Sequence, residues 1–589
     1  MLKSPLCINF GNINMTIGLY HKKIQPIAMI THTRMWRTVA CAGLACLCMS
    51  ATEPTHKPTI FMIGDSTMAN KTLSGGNQER GWGQMLSGFL DNDIVVSNHA
   101  VNGRSSKSFI DEGRWDTVLG QMCEGDYLII QFGHNDEKAD SARHTDPGTT
   151  YNANLRRFVE GAREKGATPI ICNSIVRRNF AKVADAVAQD DAAGQSEAIT
   201  TEGDSLIETH GEYLTAARQV AEETQTIFID MNKLTHDLVQ GLGPIESRRL
   251  FVWAEPNTVA HYPKGKQDNT HLNIGGARTV ARLAAKDMER LVPGLAPHIQ
   301  YPDIVVAKDG SGDFFSIQEA VMSVPDYSKN RRTTILVNGG TYREKVVVPE
   351  SKINLTLMGK GDARIEWGDW AQKKNRFGDD CSTSGSATFY VYSANFQCEG
   401  MTFANTAGRV GQAVACFVSS NNCVFRRCRF LGNQDTLYTY GEGTKQTYKE
   451  CYIEGTVDFI FGKAAALFDQ CEIHSLGDGY VCAPATPKEQ EVGYVFNQCR
   501  LTAESEAKRV FLGRPWRPYA KAIYIDCHMD GHIVPAGWDN WGNKANEKTA
   551  TFGEYQSSGL GSQPTQRAKW ATEVTKPSKW LNYWIEEGK

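Results

Sequence analysis

The C-terminal half of the chain is dominated by one recurring heptapeptide. It reads VFRRCRF (424–430), TYKECYI (447–453), LFDQCEI (467–473), VFNQCRL (495–501) and IYIDCHM (523–529). Each copy has an apolar pair, two mostly polar residues, a cysteine, one further residue and an apolar residue, and the cysteines are 23, 20, 28 and 28 residues apart. That spacing is typical of one coil of a parallel β-helix with variable loops. Since each coil buries its inward side chains only against its neighbours, the repeat predicts a stacked solenoid.

The repeated cysteine has two interpretations. The chain has 16 cysteines, and many cysteines in an exported protein suggest disulfides. A cysteine that recurs at one register is instead typical of a buried ladder of small apolar side chains. We favour stacked free thiols and keep disulfides as the alternative. The cysteines lack CxxC pairs and histidine partners, so we expect no metal site.

A different pattern precedes the repeat. Short apolar runs predict strands at 59–64, 93–98, 126–133, 168–176 and 226–230. Apolar positions three and four apart predict helices at 152–166, 212–225 and 275–291. Alternating strands and helices indicate a parallel sheet covered on both faces. We therefore expect an α/β domain at residues 58–293, a proline-punctuated linker at 294–303 and a second domain at 304–589.

Bulk composition excludes some functions and leaves others open. The chain has 589 residues, a formal net charge of −3 and a pI of about 6.6. This length suggests more than one core, and the charge gives no reason to expect a nucleic-acid partner. A polyanionic substrate would have to be held by local basic groups. We expect a monomer.

The N-terminus resembles a targeting segment. The apolar run from Thr38 to Met49 follows basic residues and is too short to span a bilayer. Residues 1–51 are therefore predicted to be a signal peptide, with Met29 or Met35 as an alternative start. We expect export to the periplasm or the cell exterior, without a membrane span. A disordered or membrane-apposed tail is the alternative, and the residues before Cys46 fit a lipoprotein cleavage box poorly.

Four blocks of the first domain carry residues suited to ester hydrolysis. Strand 59–64 runs into Ser66, and a serine at the carboxyl edge of a parallel strand lies where such sheets hold their active sites. The block VNGRSS offers Gly103, QFGHND offers Asn135, and DNTH places Asp268 three residues before His271. A histidine can take the serine proton while an aspartate holds its tautomer. Each block alone is common as a turn or a helix cap.

Together and in this order, the blocks resemble GDSL/SGNH-type hydrolases. GDST, NGRSSKSFI, GRW, QFGHND and DNTHLNIGGA are similar to the rhamnogalacturonan acetylesterase branch. The resemblance implies a three-layer α/β fold with a flavodoxin-like parallel sheet, and removal of acetyl groups from a pectic sugar. It also implies a role for each of five residues: Ser66 as nucleophile, His271 as general base, Asp268 to orient His271, and the Ser66 and Gly103 N–H groups with the Asn135 side chain as oxyanion donors.

The second domain presents two carboxylates of its own. Asp458 lies inside the apolar run GTVDFIFG (455–462), where a charge is costly to bury unless it is paired. Asp435, in NQDTLY (433–438), lies one coil earlier by spacing. Neighbouring carboxylates can have pKa values pushed apart. Arg514, in FLGRPWRP (511–518), is a candidate partner. A structural salt bridge is the alternative.

Seven motifs of this domain stand in the order found in pectin methylesterases: GTYREKV (340–346), NTAG (405–408), GQAVA (411–415), NQDTLY, GTVDFIFG, LGRPW and AGWDNW (536–541). The resemblance implies a right-handed parallel β-helix that removes methyl groups from pectin. Asp458 would be the nucleophile, Asp435 the acid and base, and Arg514 the partner of Asp458. Two more sets follow: oxyanion donors Gln412 and Gln434, and groove residues Trp516, Tyr438 and Phe461. Glu344 is interpreted as structural.

The leading hypothesis is thus a bifunctional pectin esterase that needs no metal or organic cofactor. One alternative is a polysaccharide lyase or galacturonase on the same β-helix, but those enzymes need acidic calcium clusters or a different aspartate set. Two further alternatives concern the first domain, which would deacetylate another glycan or only bind pectin.

Overall fold

The computed structural model describes residues 56–181 and 203–584. The predicted signal peptide at 1–51 lies outside the described residues. We call residues 59–291 the α/β region and residues 304–573 the β-helix region.

The α/β region contains a five-stranded parallel sheet with strand order 2-1-3-4-5, an order typical of flavodoxin-like sheets. Its strands are Thr59–Gly64, Val95–Asn98, Tyr127–Gln131, Thr168–Cys172 and Ile227–Ile229. Alternate residues of each strand point to opposite faces. Ile60 and Met62 therefore pack in one buried core, and Phe61 and Ile63 in the other. Two cores on one sheet confirm the predicted layering.

Helices cover both faces of this sheet. They span Trp82–Met85, Ser106–Asp111, Arg114–Leu119, Thr150–Glu164, Glu212–Glu223, Met231–Glu246 and Ile274–Leu291. The three predicted helices are confirmed with ends shifted by at most two residues. An antiparallel pair, Phe251–Ala254 with Lys266–Leu272, lies outside the main sheet and carries the DNTH block.

The β-helix region is one continuous ladder of parallel strands. The strands are Ile304–Val306, Thr333–Val337, Gly340–Tyr342, Val346–Val348, Leu355–Trp367, Phe389–Val391, Gln397–Asn405, Cys416–Val418, Cys423–Arg426, Arg429–Leu431, Leu437–Thr439, Lys445–Lys449, Tyr452–Gly462, Ala465–Asp469, Glu472–Pro484, Tyr494–Asn497, Arg500–Ala503, Val510–Gly513, Lys521–Ile525, His528–Met529, Thr551–Tyr555 and Thr572–Glu573. Each coil pairs with the next in parallel register, as the repeat predicted. Phe425, Tyr448 and Phe468 stack inside it at centroid distances of 5.2 and 5.0 Å.

The recurring cysteines lie at the predicted common register and are buried. Their relative exposures are at most 2%, and the sulfur of Cys428 lies 3.7 Å from that of Cys398 on the preceding coil. The twelve cysteines among the described residues are free. The stacked-thiol interpretation is therefore confirmed for that part of the chain, and the disulfide alternative is wrong there.

Short helices interrupt the coils. Ile317–Ser323, Ser382–Gly385 and Ser578–Leu581 are helical; the sequence pattern did not reveal them. Glu344 accepts hydrogen bonds from Ser316 Oγ (2.7 Å) and from the backbone N–H groups of Ile317 and Gln318 (2.9 and 3.0 Å). It therefore caps the first of these helices, consistent with its structural interpretation. Among the described residues, none of the helices has the length and apolar character needed to cross a bilayer.

Candidate active sites

The predicted residues of the α/β region meet at the carboxyl edge of the sheet. His271 Nε2 lies 2.9 Å from Ser66 Oγ, and His271 Nδ1 lies 2.9 Å from Asp268 Oδ2. The other oxygen, Asp268 Oδ1, accepts from the backbone N–H groups of Thr270 and His271, both at 2.9 Å. The carboxylate is thus fixed by its own strand, and the imidazole is aimed at the serine.

The turn that presents Ser66 is stabilised by the buried side chain of Asp65. Asp65 is fully buried, and its Oδ1 accepts from both the backbone N–H and the hydroxyl of Thr67, at 2.9 and 2.8 Å. An aspartate that bonds two residues ahead closes a tight turn. This local bond places Ser66 at the end of its strand with its hydroxyl toward His271.

Two candidate oxyanion donors line the same cavity of about 410 Å³. Gly103 has φ +73°, a left-handed conformation that glycine adopts without strain. Asn135 donates one amide hydrogen from Nδ2 to Arg104 O at 3.1 Å, which fixes the side chain and leaves its second amide hydrogen for a ligand. The cavity therefore brings together all five residues that the sequence predicted.

Six further residues line this cavity and were missed by the sequence reasoning: Lys71, Glu79, Asn102, Lys138, Arg143 and Lys266. Lys71, Glu79, Lys138 and Arg143 come from loops that lack a recognisable pattern. Asn102 lies in the VNGRSS block, and Lys266 begins the strand Lys266–Leu272. Lys71 Nζ lies 2.7 Å from Glu79 Oε1, and Lys266 Nζ lies 3.4 Å from Asp268 Oδ2. The lining thus has four cations, of which Lys71, Lys266 and Arg143 have carboxylate partners in Glu79, Asp268 and Asp140.

The electrostatics of His271 suit a general base. Burial lowers the pKa of His271, but the carboxylates of Asp268 and Glu79 outweigh burial and raise it above its ordinary value. Lys71 acts in the opposite sense. The imidazolium formed on taking a proton from Ser66 is therefore stabilised.

The second site lies on the β-helix. Leu437 pairs with Ile460 in parallel register, and the same offset of 23 residues relates Asp435 to Asp458. Gln412 and Gln434 also face each other on adjacent coils through a parallel bridge. These four residues and Arg514 line one cavity of about 400 Å³. The structure thus brings together the predicted carboxylates and amides.

Arg514 grips Asp458 with two hydrogen bonds. Its Nε donates to Oδ1 at 2.8 Å and its Nη2 to Oδ2 at 2.7 Å. The guanidinium is stacked between Tyr480 and Trp541, with its Cζ 3.8 Å from each ring centroid. Sequence reasoning had not assigned Tyr480 or Trp541, although Trp541 lies in the AGWDNW motif. The two rings fix the orientation of the guanidinium plane, and the guanidinium in turn fixes the Asp458 carboxylate.

The two carboxyls differ in their electrostatic surroundings. Burial and the neighbouring charge of Asp458 raise the pKa of Asp435 well above its usual range. Burial also raises the pKa of Asp458, but the hydrogen bonds and charge of Arg514 act against burial. Asp435 is therefore the group that stays protonated, and Asp458 the one that ionises first.

Aromatic rings form one wall of this cavity. Tyr438 and Phe461 are stacked with centroids 4.1 Å apart, and Trp516 packs edge-on against Phe461 at 5.9 Å. Thr383 also lines the cavity and was not predicted. Such faces suit the apolar faces of sugar rings.

Comparison with known proteins places this second site in a family. The family model "Pectinesterase" matches residues 303–584. "Pectinesterase 31" of Arabidopsis thaliana is 40% identical over 277 residues, which cover 46% of this chain and 86% of that protein. The chain belongs to the pectinesterase family. A pectinesterase is a carboxylic ester hydrolase, and the β-helix region of this pectinesterase carries the pectin methylesterase activity.

Two further proteins are similar to this chain. "Pectinesterase" of Daucus carota is 37% identical over 282 residues, covering 46% of the chain and 86% of the relative. The solved structure "Pectin methylesterase from Carrot" is 33% identical, with a TM-score of 0.45, and covers 49% of this chain and 95% of that one.

The α/β region of this pectinesterase matches a second family model. The "GDSL-like Lipase/Acylhydrolase family" matches residues 62–248. That match includes Ser66, Gly103 and Asn135, and it ends before Asp268 and His271.

Proposed function

We propose that the chain is a bifunctional pectin-deesterifying enzyme: an SGNH-type acetylesterase at residues 58–293, a linker at 294–303 and a methylesterase on a right-handed β-helix at 304–589. The proposal rests on the presence of two catalytic sets in one chain. In the first, His271 contacts both Ser66 and Asp268 at 2.9 Å. In the second, Asp458 is hydrogen-bonded to Arg514 and lies beside Asp435. We further propose that the protein is exported and acts as a monomer.

At the methylesterase site, Asp458 attacks the carbonyl carbon of a galacturonate methyl ester. Gln412 and Gln434 donate hydrogen bonds to the oxyanion of the tetrahedral intermediate. Asp435 gives its proton to the departing methoxide, and methanol leaves an acyl-enzyme anhydride. Asp435, now ionised, takes a proton from water, whose oxygen attacks the same carbon and releases Asp458. The aromatic wall of Trp516, Tyr438 and Phe461 holds the sugar.

At the serine site, Ser66 attacks the acetyl carbonyl while His271 takes its proton. The Ser66 and Gly103 N–H groups and the Asn135 amide stabilise the oxyanion. His271 then gives this proton to the departing sugar oxygen, which leaves as a hydroxyl, and water repeats the sequence to free acetate and restore Ser66. The lysine and arginine side chains that line this cavity suit the carboxylates of an acidic polysaccharide, which supports a pectic substrate over a neutral glycan.

The decisive experiment measures acetate and methanol released from methylated, acetylated pectin. Ser66→Ala is expected to lose acetate release and keep methanol release, and Asp458→Ala the reverse. Ser505→Ala and Asp237→Ala, at exposed positions, are the matched controls. Loss of both products in either catalytic variant would contradict two independent sites.

A wild type that releases methanol but no acetate would overturn the pectin acetylesterase half. Acetylated xylan and p-nitrophenyl acetate, offered as substrates, then distinguish the two remaining hypotheses for the α/β region. Hydrolysis that depends on Ser66 would assign another acetylated glycan, and its absence would leave a region that only binds pectin.

A further inference from the structure

The first coil of the β-helix region packs against the α/β region. Val306 points into the β-helix core, but its neighbour Val305, on the outer face, is also fully buried. A side-chain carbon of Val305 lies 3.0 Å from where a Cβ on Gly88 would stand. Close packing of an outer face indicates a permanent interface rather than two tethered bodies.

Polar contacts fix the orientation of this interface. Arg278 Nε lies 3.1 Å from Asp313 Oδ2, with both side chains mostly buried. Lys360 Nζ donates to the carbonyls of Ser87 and Leu90 at 2.9 and 2.7 Å. These contacts hold the first coils in one register against the α/β region.

The loop at 308–312 in this coil reaches a particular part of the α/β region. Gly310 O accepts from Arg80 Nε at 3.1 Å, and Asp309 O accepts from Gln84 Nε2 at 3.4 Å. Leu73 lies directly over Gly310, whose φ is +79°. A Cβ there would come within 2.4 Å of Leu73 Cδ2. The loop is therefore seated on the segment 71–84.

That same segment supplies two walls of the Ser66 cavity, Lys71 and Glu79. Gln84 Oε1 accepts from the Lys71 N–H at 3.0 Å. Arg80 Nη1 donates to Glu79 O at 2.7 Å, and its backbone N–H donates to Leu272 O at 2.9 Å, one residue after His271. The two side chains that contact the β-helix loop are thus the ones that hold Lys71 and Glu79.

We propose that the 308–312 loop of the β-helix is a positioning element of the serine esterase: it holds the 71–84 segment so that Lys71 and Glu79 form the wall of the Ser66 site. The inference rests on the proposed function of that site. The proposal makes the acetylesterase depend on a loop of the β-helix region. The methylesterase should not depend on this contact, because residues 308–312 do not line its cavity.

The charges around His271 make this dependence measurable. His271 faces Asp268 on its own strand, with Lys266 beside that carboxylate, and Glu79 and Lys71 from the 71–84 segment. Glu79 raises the pKa of His271 more than Lys71 lowers it. Displacing the segment removes these two charges, which together raise the pKa of His271, and it also reduces burial, which lowers that pKa. The acid limb of the Ser66 reaction should therefore move when the segment is displaced.

The test uses Gly310→Val in the full chain. We expect kcat/KM for acetate release to fall about 10-fold, the acid limb to shift and methanol release to stay within twofold. Gly443→Val is the matched control, because Gly443 has a similar φ of +69° and open space around it. Leu73→Ala, which removes the nearest of the three atoms that a Cβ on Gly310 would meet, should restore part of the lost activity to Gly310→Val.

Hydrogen exchange tests the positioning role of the loop, and labelling by a serine-directed fluorophosphonate tests the proposed function of Ser66, so failure of one can be distinguished from failure of the other. Exchange over 71–84 should quicken in Gly310→Val, whatever the substrate of Ser66. Wild type that is neither labelled at Ser66 nor active on acetyl esters would overturn the proposed function. Unchanged exchange, an unchanged pH profile and acetate release equal to Gly443→Val would overturn the positioning role. Should Gly310→Val lose methanol release through misfolding, Gly310→Ala replaces it.

Discussion

The two catalytic carboxylates proposed for the β-helix stand on strained backbone. Asp435 and Asp458 have φ values of +65° and +51°, in the left-handed region that side chains seldom adopt. Such residues cost about 1–3 kcal/mol each and persist only where their surroundings over-determine them. Here the ladder on both sides supplies that constraint, and the conformation turns both carboxylates into the cavity.

Replacing Arg514 by lysine should be harmful although the charge is kept. Lysine cannot make two parallel hydrogen bonds to Asp458 or stack between Tyr480 and Trp541. A lost charge-assisted bond of about 1.5–3 kcal/mol predicts a fall in methanol release of about 10- to 100-fold, measured as kcat/KM. Arg427→Lys, at an exposed position on the β-helix, is the control. Activity within twofold of wild type would refute the positioning role of Arg514.

Asp435→Asn should lower the methylesterase activity and raise the stability of the folded protein. It removes the acid and base, so methanol release should fall by about 10²- to 10⁴-fold. The native state raises the pKa of Asp435 above the unfolded value, so the native state binds the extra proton and stability falls as pH rises above the unfolded pKa. An amide resembles the protonated acid and avoids this loss.

The variant should therefore melt higher than wild type at pH 7, by a few degrees, with the difference vanishing below about pH 4, the unfolded pKa. Thermal denaturation between pH 4 and 8 measures this. A variant less stable than wild type at pH 7 would contradict a buried, protonated Asp435.

At the scale of elements, each coil turns at the residue before its ladder cysteine. Arg427, Glu450, Gln470, Gln498 and Asp526 all have φ between +49° and +55°. A left-handed residue bends the chain sharply, and the cysteine that follows then points inward against its counterparts. The repeat in the sequence therefore reflects the same turn geometry at five positions.

Ladder thiols should resist modification in the folded protein. Burial raises the pKa of Cys428, Cys451 and Cys499 well above the ordinary value, which leaves little reactive thiolate. At Cys471 burial acts in the same sense, but hydrogen bonds from Cys451 and Cys499 outweigh burial and lower its pKa; its sulfur is buried with the others and shielded from the reagent. Iodoacetamide labelling mapped by mass spectrometry should therefore mark exposed Cys123 first, and the ladder only after unfolding. A disulfide recovered between two ladder cysteines would show that the ladder is not made of free thiols.

Glu344→Gln tests the cap of the helix Ile317–Ser323. The amide keeps one acceptor oxygen where the carboxylate had two, so we expect a loss of about 1–2 kcal/mol in the free energy of unfolding. Activity at saturating substrate should stay unchanged. Chemical denaturation measures the loss, and Glu350→Gln, at an exposed position, is the comparison. Loss of methanol release without loss of stability would mean that Glu344 serves the reaction.

On the scale of the whole molecule, one interface joins two esterases that the proposed function directs to one polymer. Tethering raises the effective concentration of one site near the product of the other. Because the interface is packed, this proximity has a fixed geometry rather than that of a flexible linker.

Wild type should therefore outperform an equimolar mixture of Ser66→Ala and Asp458→Ala that contains the same number of each working site. At nanomolar enzyme on long, doubly esterified pectin, we expect fully deesterified segments to form several-fold faster with wild type. On short oligosaccharides the difference should vanish, since few chains reach both sites. Equal rates on the long polymer would show that the sites act without coupling.

The sequence by itself determined the parts of this protein that depend on local pattern. The strand–helix alternation predicted the parallel sheet, and the cysteine register predicted the stacked coils. Asp458 could be named because a carboxylate inside an apolar run is unusual within a few residues of chain. Local exceptions of this kind can be seen without coordinates. The roles of Ser66, His271 and Asp435 came from the order of the motif blocks and their resemblance to known families.

Only the tertiary structure decided the surroundings of those residues. Tyr480 and Trp541 meet around Arg514 although they lie 61 residues apart in the sequence, and Gly310 meets Arg80 from another region of the fold. Such partners obey no periodicity, because loops of variable length bring them together and each has an ordinary local sequence. Packing between distant segments fixes which charges and rings face a catalytic group, and therefore only the folded chain determines the pKa order of the carboxyls and the wall of the serine site.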